Sequence, residues 1–323
     1  MTDDPSSGPL SHRQVSTELG CLGGGTGSTS RLARTRVYVK VAMAGISGVV
    51  ASAQLRPGRA DYEEARHMMT HDLNAVLDGA FRAGATEAVV YDNHADGRNV
   101  NLDALDERVV VIAGRPGPQD DFFYGLDDSF AALFLVGARA RASTPRAVLA
   151  RTYGDEIASL RVNDTELGEI GMEAALAGRF GVPLALVSGD AAATREACEL
   201  LGDDVQTVAV KEAVGAGGAV CLPCGRTAKM LREAAERAYA KAPVLPPLVF
   251  PSPVALQIVC WQEAQAATLA RVASARRVAE DAVCIEAPGI LEAYRTFVLA
   301  HGLARARHSV RSHGPSTSTS ASA

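Results

Sequence analysis

Short apolar segments alternate with helix-like segments from about residue 36 to residue 303, and this alternation limits the possible folds more than any other feature. The apolar segments are bounded by turn residues and read VYVKVAM, EAVVYDN, RVVVIAG, AALFLVGA, PLALVSGD and VQTVAVKEA. Strands that alternate with helices favour a parallel sheet with helices on both faces. The sequence therefore predicts the α/β class, with a doubly wound and mostly parallel sheet as its core.

The first long helix is predicted from Asp61 to Ala83, because its apolar side chains recur at helical spacing and Gly84 follows. Further helices are predicted in EIGMEAALAGRFG, in TREACELLG and from Gly225 to Ala240. The segment SLRVNDTELGEI is predicted to form a hairpin that turns at Asn163 and Asp164.

A proline-rich segment, KAPVLPPLVFPSP, marks a change in organisation. After it we predict a strand in VALQIVCW and two helices, near 262–278 and 288–303. The ends of the chain are rich in Ser, Gly and Thr, which is typical of disorder. The predicted organisation is a disordered extension (1–34), an α/β core (35–244), a smaller C-terminal α/β subdomain (245–304) and a disordered tail (305–323).

Composition excludes several partners. The net charge is −5 and aromatic residues make up 5% of the chain, so neither a basic face nor base-stacking surfaces for nucleic acid are expected. No apolar run reaches the length of a membrane span, and the first 34 residues lack the hydrophobic segment of a secretory signal. Six cysteines in a chain of this length do not make a disulfide scaffold, so we expect a cytoplasmic protein.

Histidines and cysteines supply the first candidates for chemistry. His67 and His71 are one helical turn apart, but a packed or solvated helix face explains them better than a metal site. Cys221 and Cys224 form a CxxC pair before a helix, where a thiol gains reactivity. An incidental loop pair is favoured over a redox or metal role.

A polar cluster follows the second predicted strand in YDNHADGRN, and it contains Asp92 and His94. Loops at this place in α/β proteins often carry active sites. The same residues also suit an Asx-type turn with a capping histidine, and spacing alone leaves both interpretations open. Glu169, where the hairpin becomes a helix, is either a helix-start acid or a ligand.

Ordered blocks along the chain resemble the DppA-like D-aminopeptidases, a family of zinc metallopeptidases. The resemblance covers about residues 36 to 303. The matching blocks are MAGISGVV, MMTHDLNAVLDGAFRAGATEAVVYDNHADGRN, LFLVGARARASTP, VLARTYG, RVNDTELGEIGMEAALAGRFGVPLALVSGD and VQTVAVKEAVG. It implies a homo-oligomer that acts on a short peptide, and a site with two zinc ions.

The resemblance also implies which positions hold the metal ligands. Family members take an Asp and a Glu from a DxEG segment, which here reads AMAG, so Ala42 and Ala44 stand in their places. His94 and Glu169 are kept. Arg139 replaces the histidine of a GxHA segment. Two positions before Ala42, where relatives usually have a small polar residue, the chain has Lys40.

These substitutions predict that the zinc chemistry of the family is lost, because two remnant ligands do not complete a zinc site. No cofactor is then expected, and zinc only if the site is functional. Lys40 and Arg139 would bring cations toward the former metal positions, facing Asp92, His94 and Glu169. The leading hypothesis is a degenerate family member that binds a small amino-acid-like or peptide-like ligand. The alternative is that the site has no function and that its residues changed by neutral drift.

The alternative hypothesis is that the chain is an active enzyme. In one form, a metal-independent amide hydrolase or transferase would use His94 as its base, with Glu169 or Asp92 orienting that histidine. Lys40 and Arg139 would then form an anion or oxyanion clamp. In the other form, a mononuclear metalloenzyme would recruit Asp92 as an additional ligand.

Overall fold

The computed structural model of the chain describes residues 34–115, 123–215 and 217–312, with the backbone alone for 303–312. The strands are β1 (Arg36–Val41), β2 (Glu87–Asp92), β3 (Val109–Ile112), β4 (Phe130–Ala138), β5 (Ile157–Val162), β6 (Thr165–Leu167), β7 (Leu184–Asp190), β8 (Gln206–Val214), β9 (Gly218–Cys221), β10 (Val254–Cys260), β11 (Ala275–Arg277) and β12 (Ala282–Ala287). The α-helices are α1 (Ala60–Arg82), α2 (Glu169–Gly178), α3 (Ala191–Leu201), α4 (Cys224–Lys241), α5 (Glu263–Leu269) and α6 (Ile290–Ser312).

The larger sheet has seven strands in the order β3-β2-β1-β4-β7-β8-β9. All neighbouring strands are parallel except β8 and β9, which form an antiparallel edge. The chain therefore winds outward in one direction from β1 and in the other from β4. This arrangement confirms the predicted α/β class with its mostly parallel sheet.

Alternation along β1 separates two apolar layers. Val37, Val39 and Val41 face the layer that contains residues of α1 and α4. Tyr38 faces the opposite layer, which contains residues of α2 and α3. Because side chains alternate along a strand, Lys40 shares the face of Tyr38 and is directed to the side of α2.

A second sheet has five antiparallel strands in the order β11-β12-β10-β5-β6. The β5–β6 hairpin turns at Asn163 and Asp164 as predicted. Since this hairpin comes from within the range 35–244, the predicted boundary near 245 does not separate the two sheets. The smaller sheet is assembled from two distant parts of the chain, which spacing along the sequence does not show.

Helix α2 lies between the two cores. Ile170, Ala174 and Ala177 pack in the core of the larger sheet, and Met172 and Leu176 pack in the core of the smaller one. Every residue of α2 after Glu169 is buried. A helix that is apolar on all sides belongs inside a protein, so the polar residues of α2 are of particular interest.

The C-terminal region differs from the sequence prediction in two ways. The helix predicted at 262–278 ends at Leu269, and β11 and β12 follow, because apolar residues there pack on β10 rather than along a helix. Helix α6 continues to Ser312, so residues 305–312 are helical rather than part of a disordered tail. Ala and Arg in this stretch have high helix propensity, which favours the extension.

Some predictions lie outside the described residues. These are the disordered state of 1–33 and that of 313–323. Within the ranges that are described, no helix is both long and apolar enough to cross a membrane.

Candidate functional site

The carboxyl ends of β1, β2 and β4 meet where the winding of the larger sheet reverses. In open α/β sheets, ligands bind in the crevice outside this switch point. Lys40 and Ala42 lie at the end of β1, Asn93 follows β2, and Arg139 follows β4. The topology thus places these four residues at one edge of the sheet.

Gly137 allows the ends of β1 and β4 to approach at backbone contact. The amide of Ala42 donates a hydrogen bond of 2.8 Å to the carbonyl of Val136. Gly137 has a φ of +75°, and a Cβ on it would lie 2.0 Å from the carbonyl oxygen of Ala42. Any larger residue would push the two strand ends apart, so this glycine fixes the width of the site.

Helix α2 begins at the same edge and presents two acids to it. Its N-cap is Gly168, where a Cβ would lie 2.3 Å from Oε1 of Glu196 and 2.7 Å from Cβ of Arg141. Glu169 is the first residue of the helix, and Glu173 follows one turn later. Residues four apart lie on the same helix face, so both carboxylates approach the strand ends.

The inner pair consists of Lys40 and Glu173. Nζ of Lys40 lies 2.6 Å from Oε1 of Glu173, and the two side chains are 1% and 5% exposed. The ammonium also lies 4.2 Å from the ring centre of Phe123 and 5.7 Å from that of Tyr91. Burial lowers the pKa of Lys40, opposed by the Glu173 carboxylate, and burial raises the pKa of Glu173, opposed by Lys40.

The outer pair consists of Arg139 and Glu169. One terminal nitrogen of Arg139 lies 3.0 Å from Oε1 of Glu169, and the side chains are 17% and 15% exposed. The same oxygen accepts a hydrogen bond of 2.7 Å from the backbone amide of Tyr153. Glu169 is therefore held from two sides, by a side chain after β4 and by the loop that follows it.

The two pairs line one cavity, which we call the switch-point pocket. It opens to solvent, and its empty space counted together with the open solvent at its mouth is about 330 Å³. Its lining combines the polar residues with apolar walls and is made by Lys40, Ala42, Asn93, Leu135, Val136, Gly137, Ala138, Arg139, Glu169, Ile170 and Glu173. Oδ1 of Asn93 is buried and accepts no hydrogen bond within the described part of the chain.

Asp92 organises a loop rather than the pocket. It is 1% exposed, and its carboxylate accepts hydrogen bonds from the backbone amides of His94, Asn99 and Val100 and from the side chain of Asn99. It contacts the backbone of His94 and not its ring. The sequence-based idea that Asp92 orients the imidazole is therefore not what the contacts show.

His94 follows Asn93 in the chain but is not among the residues that line the pocket. Its Nε2 is 3.3 Å from the carbonyl oxygen of Leu55. Burial lowers the pKa of His94, and the Leu55 carbonyl partly offsets this effect. The lowered pKa favours the neutral ring, which is held by a backbone carbonyl rather than by a carboxylate.

Ala44 is 3% exposed and is part of a loop that a buried lysine holds. Nζ of Lys211 donates hydrogen bonds to the carbonyl oxygens of Ala44, Ile46 and Val49. Burial lowers the pKa of Lys211 to about 8. The position that the resemblance assigns to a glutamate ligand is thus a buried alanine that is not among the residues lining the pocket.

Two pocket residues, Glu173 and Asn93, were missed in the sequence. Glu173 lies within an apolar helical segment, and its neighbours there gave no hint of a partner 133 residues away. Asn93 belongs to the polar cluster after β2, but the resemblance assigns no ligand role to its position. A charge in the middle of a fully apolar helix is the signal that points to Glu173.

The CxxC pair offers no support for a metal or redox role. Cys221 and Cys224 are both free thiols, and Sγ of Cys224 lies 3.7 Å from Sδ of Met68. His71 lies 3.7 Å from the carboxylate of Asp72, which is a pair and not a metal-binding group. Among the described residues, no three His, Cys, Asp or Glu side chains come together in a metal-binding group.

Fold and site together define a class of protein, a doubly wound α/β protein with a pocket at its switch point. Comparison with known proteins narrows this class. A family model described as D-aminopeptidase matches residues 35–299. The chain belongs to the D-aminopeptidase family.

Two relatives show how much of the chain is shared. The D-aminopeptidase of Bacillus subtilis (strain 168) is 31% identical over 271 residues, which cover 83% of this chain and 97% of the relative. A solved structure, described as the Zn-dependent D-aminopeptidase DppA from Bacillus subtilis, a self-compartmentalizing protease, superposes with a TM-score of 0.80. It is 30% identical, and the match covers 84% of this chain and 98% of that one. The family resemblance seen in the sequence is confirmed.

Proposed function

We propose that this chain has lost the zinc-dependent peptidase chemistry of its family. In its place, the switch-point pocket binds a small amino-acid-like or short peptide ligand. One observation carries the proposal: Arg139 stands where the resemblance implies a histidine ligand, and its guanidinium lies 3.0 Å from Glu169, one of the two remaining ligand positions.

The residues present do not fit zinc. Catalytic zinc sites use three protein ligands, and only His94 and Glu169 remain of the set that the resemblance implies. Oε1 of Glu169 already accepts hydrogen bonds from Arg139 and from the amide of Tyr153. A dication beside the guanidinium of Arg139 and the ammonium of Lys40 would meet like charges on two sides.

The pocket instead offers unused hydrogen-bonding groups. Arg139 spends one terminal nitrogen on Glu169, and its other N–H groups have no partner among the described residues. Arginine binds carboxylates through two parallel hydrogen bonds, so these groups suit a carboxylate. The buried Oδ1 of Asn93 requires a donor. An amino acid or a peptide carries both a carboxylate and N–H donors.

Metal analysis of the purified protein tests the loss of zinc. We expect zinc far below one ion per chain, and near-stoichiometric zinc that is lost in His94→Ala would overturn the proposal. The triple variant Ala42→Asp, Ala44→Glu, Arg139→His should gain zinc. Adding Lys40→Ser and Glu173→Gln should raise its zinc content further, because the ammonium of the inner pair is removed.

A ligand screen tests the binding role. Amino acids and dipeptides are added to the protein, and the melting temperature is recorded for each. A stabilising ligand should lose its effect in Arg139→Ala and keep it in the matched control Arg141→Ala, whose side chain is 34% exposed and pairs with Glu166. If no ligand stabilises the protein and Arg139→Ala behaves like the wild type, drift of an unused site replaces the proposal.

The alternative of an active enzyme stays a prediction, and none of the contacts of His94 described above favours it. A general base needs a group that orients it, and the ring of His94 faces the Leu55 carbonyl instead of Asp92 or Glu169. Hydrolysis of amino-acid amides that His94→Ala abolishes would support it.

We also infer that the chain forms a homo-oligomer, since its relative of known structure is described as self-compartmentalizing. Light scattering coupled to size exclusion should give a mass that is a multiple of the 33.7 kDa chain. A monomer would contradict this inference without affecting the pocket.

A further inference from the structure

Lysine is rare in this chain, and its placement is unusual. Only four of the 32 Lys and Arg residues are lysines, namely Lys40, Lys211, Lys229 and Lys241. Two of the four, Lys40 and Lys211, are buried, each 2% exposed. Lys211 has a structural task, since it binds three carbonyls of one loop. Lys40 lines a ligand pocket, where a primary amine has chemistry that a guanidinium lacks.

The surroundings of Lys40 are those that activate a lysine. Its Nζ lies 2.6 Å from a carboxylate that can take up its proton, that of Glu173. The adjoining pocket walls are apolar and include Leu135, Val136 and Ile170. Desolvation next to a proton acceptor favours the neutral amine, which is the nucleophilic form. Burial acts in this direction on the pKa values of both partners.

Arg139 lines the same pocket and has N–H groups to spare. Each cation is close enough to influence the carboxylate of the other pair, because Glu169 acts on Lys40 and Arg139 acts on Glu173. A ligand that spans the two would present a carboxylate to Arg139 and an electrophilic carbon to Lys40. A 2-oxo acid carries these two groups on adjacent carbons.

We propose that Lys40 captures the carbonyl group of a 2-oxo acid as a Schiff base while Arg139 binds the carboxylate of that acid. This rests on the proposed use of the switch-point pocket for a small ligand and adds a covalent step to it. Glu173 moves the protons, and no metal is required.

The step balances without a further reactant. Lys40 gives one proton to Glu173, and the neutral amine attacks the carbonyl carbon, forming a C–N bond while the C=O π pair moves to oxygen. Glu173 then relays a proton from nitrogen to that oxygen, which gives the carbinolamine. The nitrogen lone pair expels the hydroxyl group, which leaves as water with the proton from Glu173. The products are a protonated imine, a Glu173 carboxylate and one water.

Charge conservation favours this product in a buried site. The protonated imine carries the same positive charge as the ammonium it replaces, so Glu173 is either protonated and neutral or ionised beside a cation at each stage. A reaction that left Glu173 charged and alone would incur the penalty of a buried unpaired carboxylate. The inner pair can therefore exchange an ammonium for an iminium ion without losing its ion pairing.

Reductive trapping tests the proposal on the wild-type protein. The full chain is incubated with pyruvate and sodium cyanoborohydride, and its intact mass and peptide map are measured. We expect one adduct per chain, heavier by the oxo acid less one oxygen atom, located on Lys40. Adducts confined to the N-terminus and the exposed Lys229, or no adduct at all, would overturn the proposal.

Variants identify the roles. Lys40→Arg keeps a cation beside Glu173 and should abolish the single adduct, whereas the matched surface change Lys229→Arg should leave it intact. Arg139→Ala should slow trapping of pyruvate by about tenfold or more, the effect of a charge-assisted hydrogen bond. It should leave trapping of acetone unchanged, since acetone lacks the carboxylate. Equal slowing for both ketones would remove Arg139 from the proposed role.

The same experiment separates this inference from the proposed function. Reversible binding of amino acids without any adduct on Lys40 refutes Schiff-base formation and leaves the binding role in place. An adduct on Lys40 in a protein that binds no amino acid or peptide supports Schiff-base formation and refutes the proposed binding of amino acids and peptides. Near-stoichiometric zinc overturns the proposed loss of the metal site, whichever of these results is obtained.

Discussion

The two ion pairs of the switch-point pocket start from the same helix and differ in their surroundings. Glu173 meets Lys40 with both side chains at 5% exposure or less, and Glu169, one turn earlier, meets Arg139 with both side chains at 15% or more. The inner pair uses a compact ammonium, and the outer pair uses a planar guanidinium. Four residues along one helix therefore separate a buried pair from one in contact with solvent.

This difference shows how the site divides its tasks. Two charges deep in a protein are expensive to desolvate, and they are tolerated only while each has the other. The inner pair thus links α2 to β1. A substitution of either partner, at the bottom of the pocket, is expected to lower the stability of the fold. The outer pair is only partly desolvated, so its single salt bridge costs less to form. Arg139 keeps further N–H donors that are not used by Glu169.

The largest effect is expected from breaking the inner pair. Lys40→Ala or Glu173→Ala leaves a buried charge without its partner and should lower the free energy of unfolding by about 3–5 kcal/mol. Urea denaturation at neutral pH measures this change. The exposed pair of Lys229 and Glu233 on α4 supplies the control, since Lys229→Ala should change stability by less than about 0.5 kcal/mol.

Removing both charges sharpens the same comparison. The double variant Lys40→Met, Glu173→Leu should recover most of the lost stability, because apolar side chains of similar volume avoid the desolvation penalty. The contrary result is a double variant whose loss of stability equals the sum of the two single losses. It would show that each side chain stabilises the fold by itself, and not that each only neutralises the buried charge of the other.

A smaller effect on the free energy of unfolding is expected at Glu196. This carboxylate is buried, and no cation among the described residues lies as close to it as Lys40 lies to Glu173. It accepts a hydrogen bond from the amide of Arg141, its Oε1 accepts none from the described residues, and burial raises its pKa to about 7 from 4.5. Because the folded state binds the proton more tightly, the contribution of Glu196 to stability is full below pH 4.5. It falls as the pH rises to about 7.

Glu196→Gln should remove this pH dependence. The variant should gain stability over the wild type progressively between pH 4.5 and 7, reaching on the order of 2 kcal/mol above that range. Denaturation curves at a series of pH values give the difference directly. Glu199→Gln, at an exposed position of the same helix α3, is the matched control. A difference that shrinks as the pH rises would show that Glu196 is ionised at low pH.

The smallest effect on stability is expected for the outer pair. Arg139→Ala breaks a salt bridge that water reaches, so the free energy of unfolding should fall by no more than about 1 kcal/mol. Thermal and urea unfolding measure it beside Lys40→Ala. If Arg139→Ala were as damaging as Lys40→Ala, the contrast between the two pairs would fail, and Glu169 would depend on its cation as strongly as Glu173 does.

Much of the site was predictable because it follows motifs. The turn residues after β1 and β4 and the GEIG segment at the start of α2 place Ala42, Arg139 and Glu169 at one edge of a parallel sheet. This inference comes from the family resemblance, which assigns these three positions to one metal site. It also identified Lys40 as a cation near the former metal positions, although not what that cation would meet.

Asp92 and His94 show where local patterns leave the role of a residue open. Their polar cluster suited both an active-site loop and an Asx-type turn, and the hydrogen bonds of Asp92 to the backbone of 94, 99 and 100 are those of a loop held by a carboxylate. An unpaired buried carboxylate is costly, so Asp92 uses the amides nearest to it in the chain. Which of the two roles it takes depends on which donors the fold brings within reach.

The sequence by itself determined the class of fold and the family, because periodicity, turn residues and motif spacing are local properties of the chain. Only the tertiary structure decided that Glu173 meets Lys40, that Glu169 meets Arg139, and that the hairpin 157–167 joins the C-terminal strands. The two ion pairs join residues that are 133 and 30 positions apart, and the hairpin pairs with strand β10 from a distant part of the chain. They are selected by burial and charge compensation in three dimensions, and local periodicity and spacing do not register them.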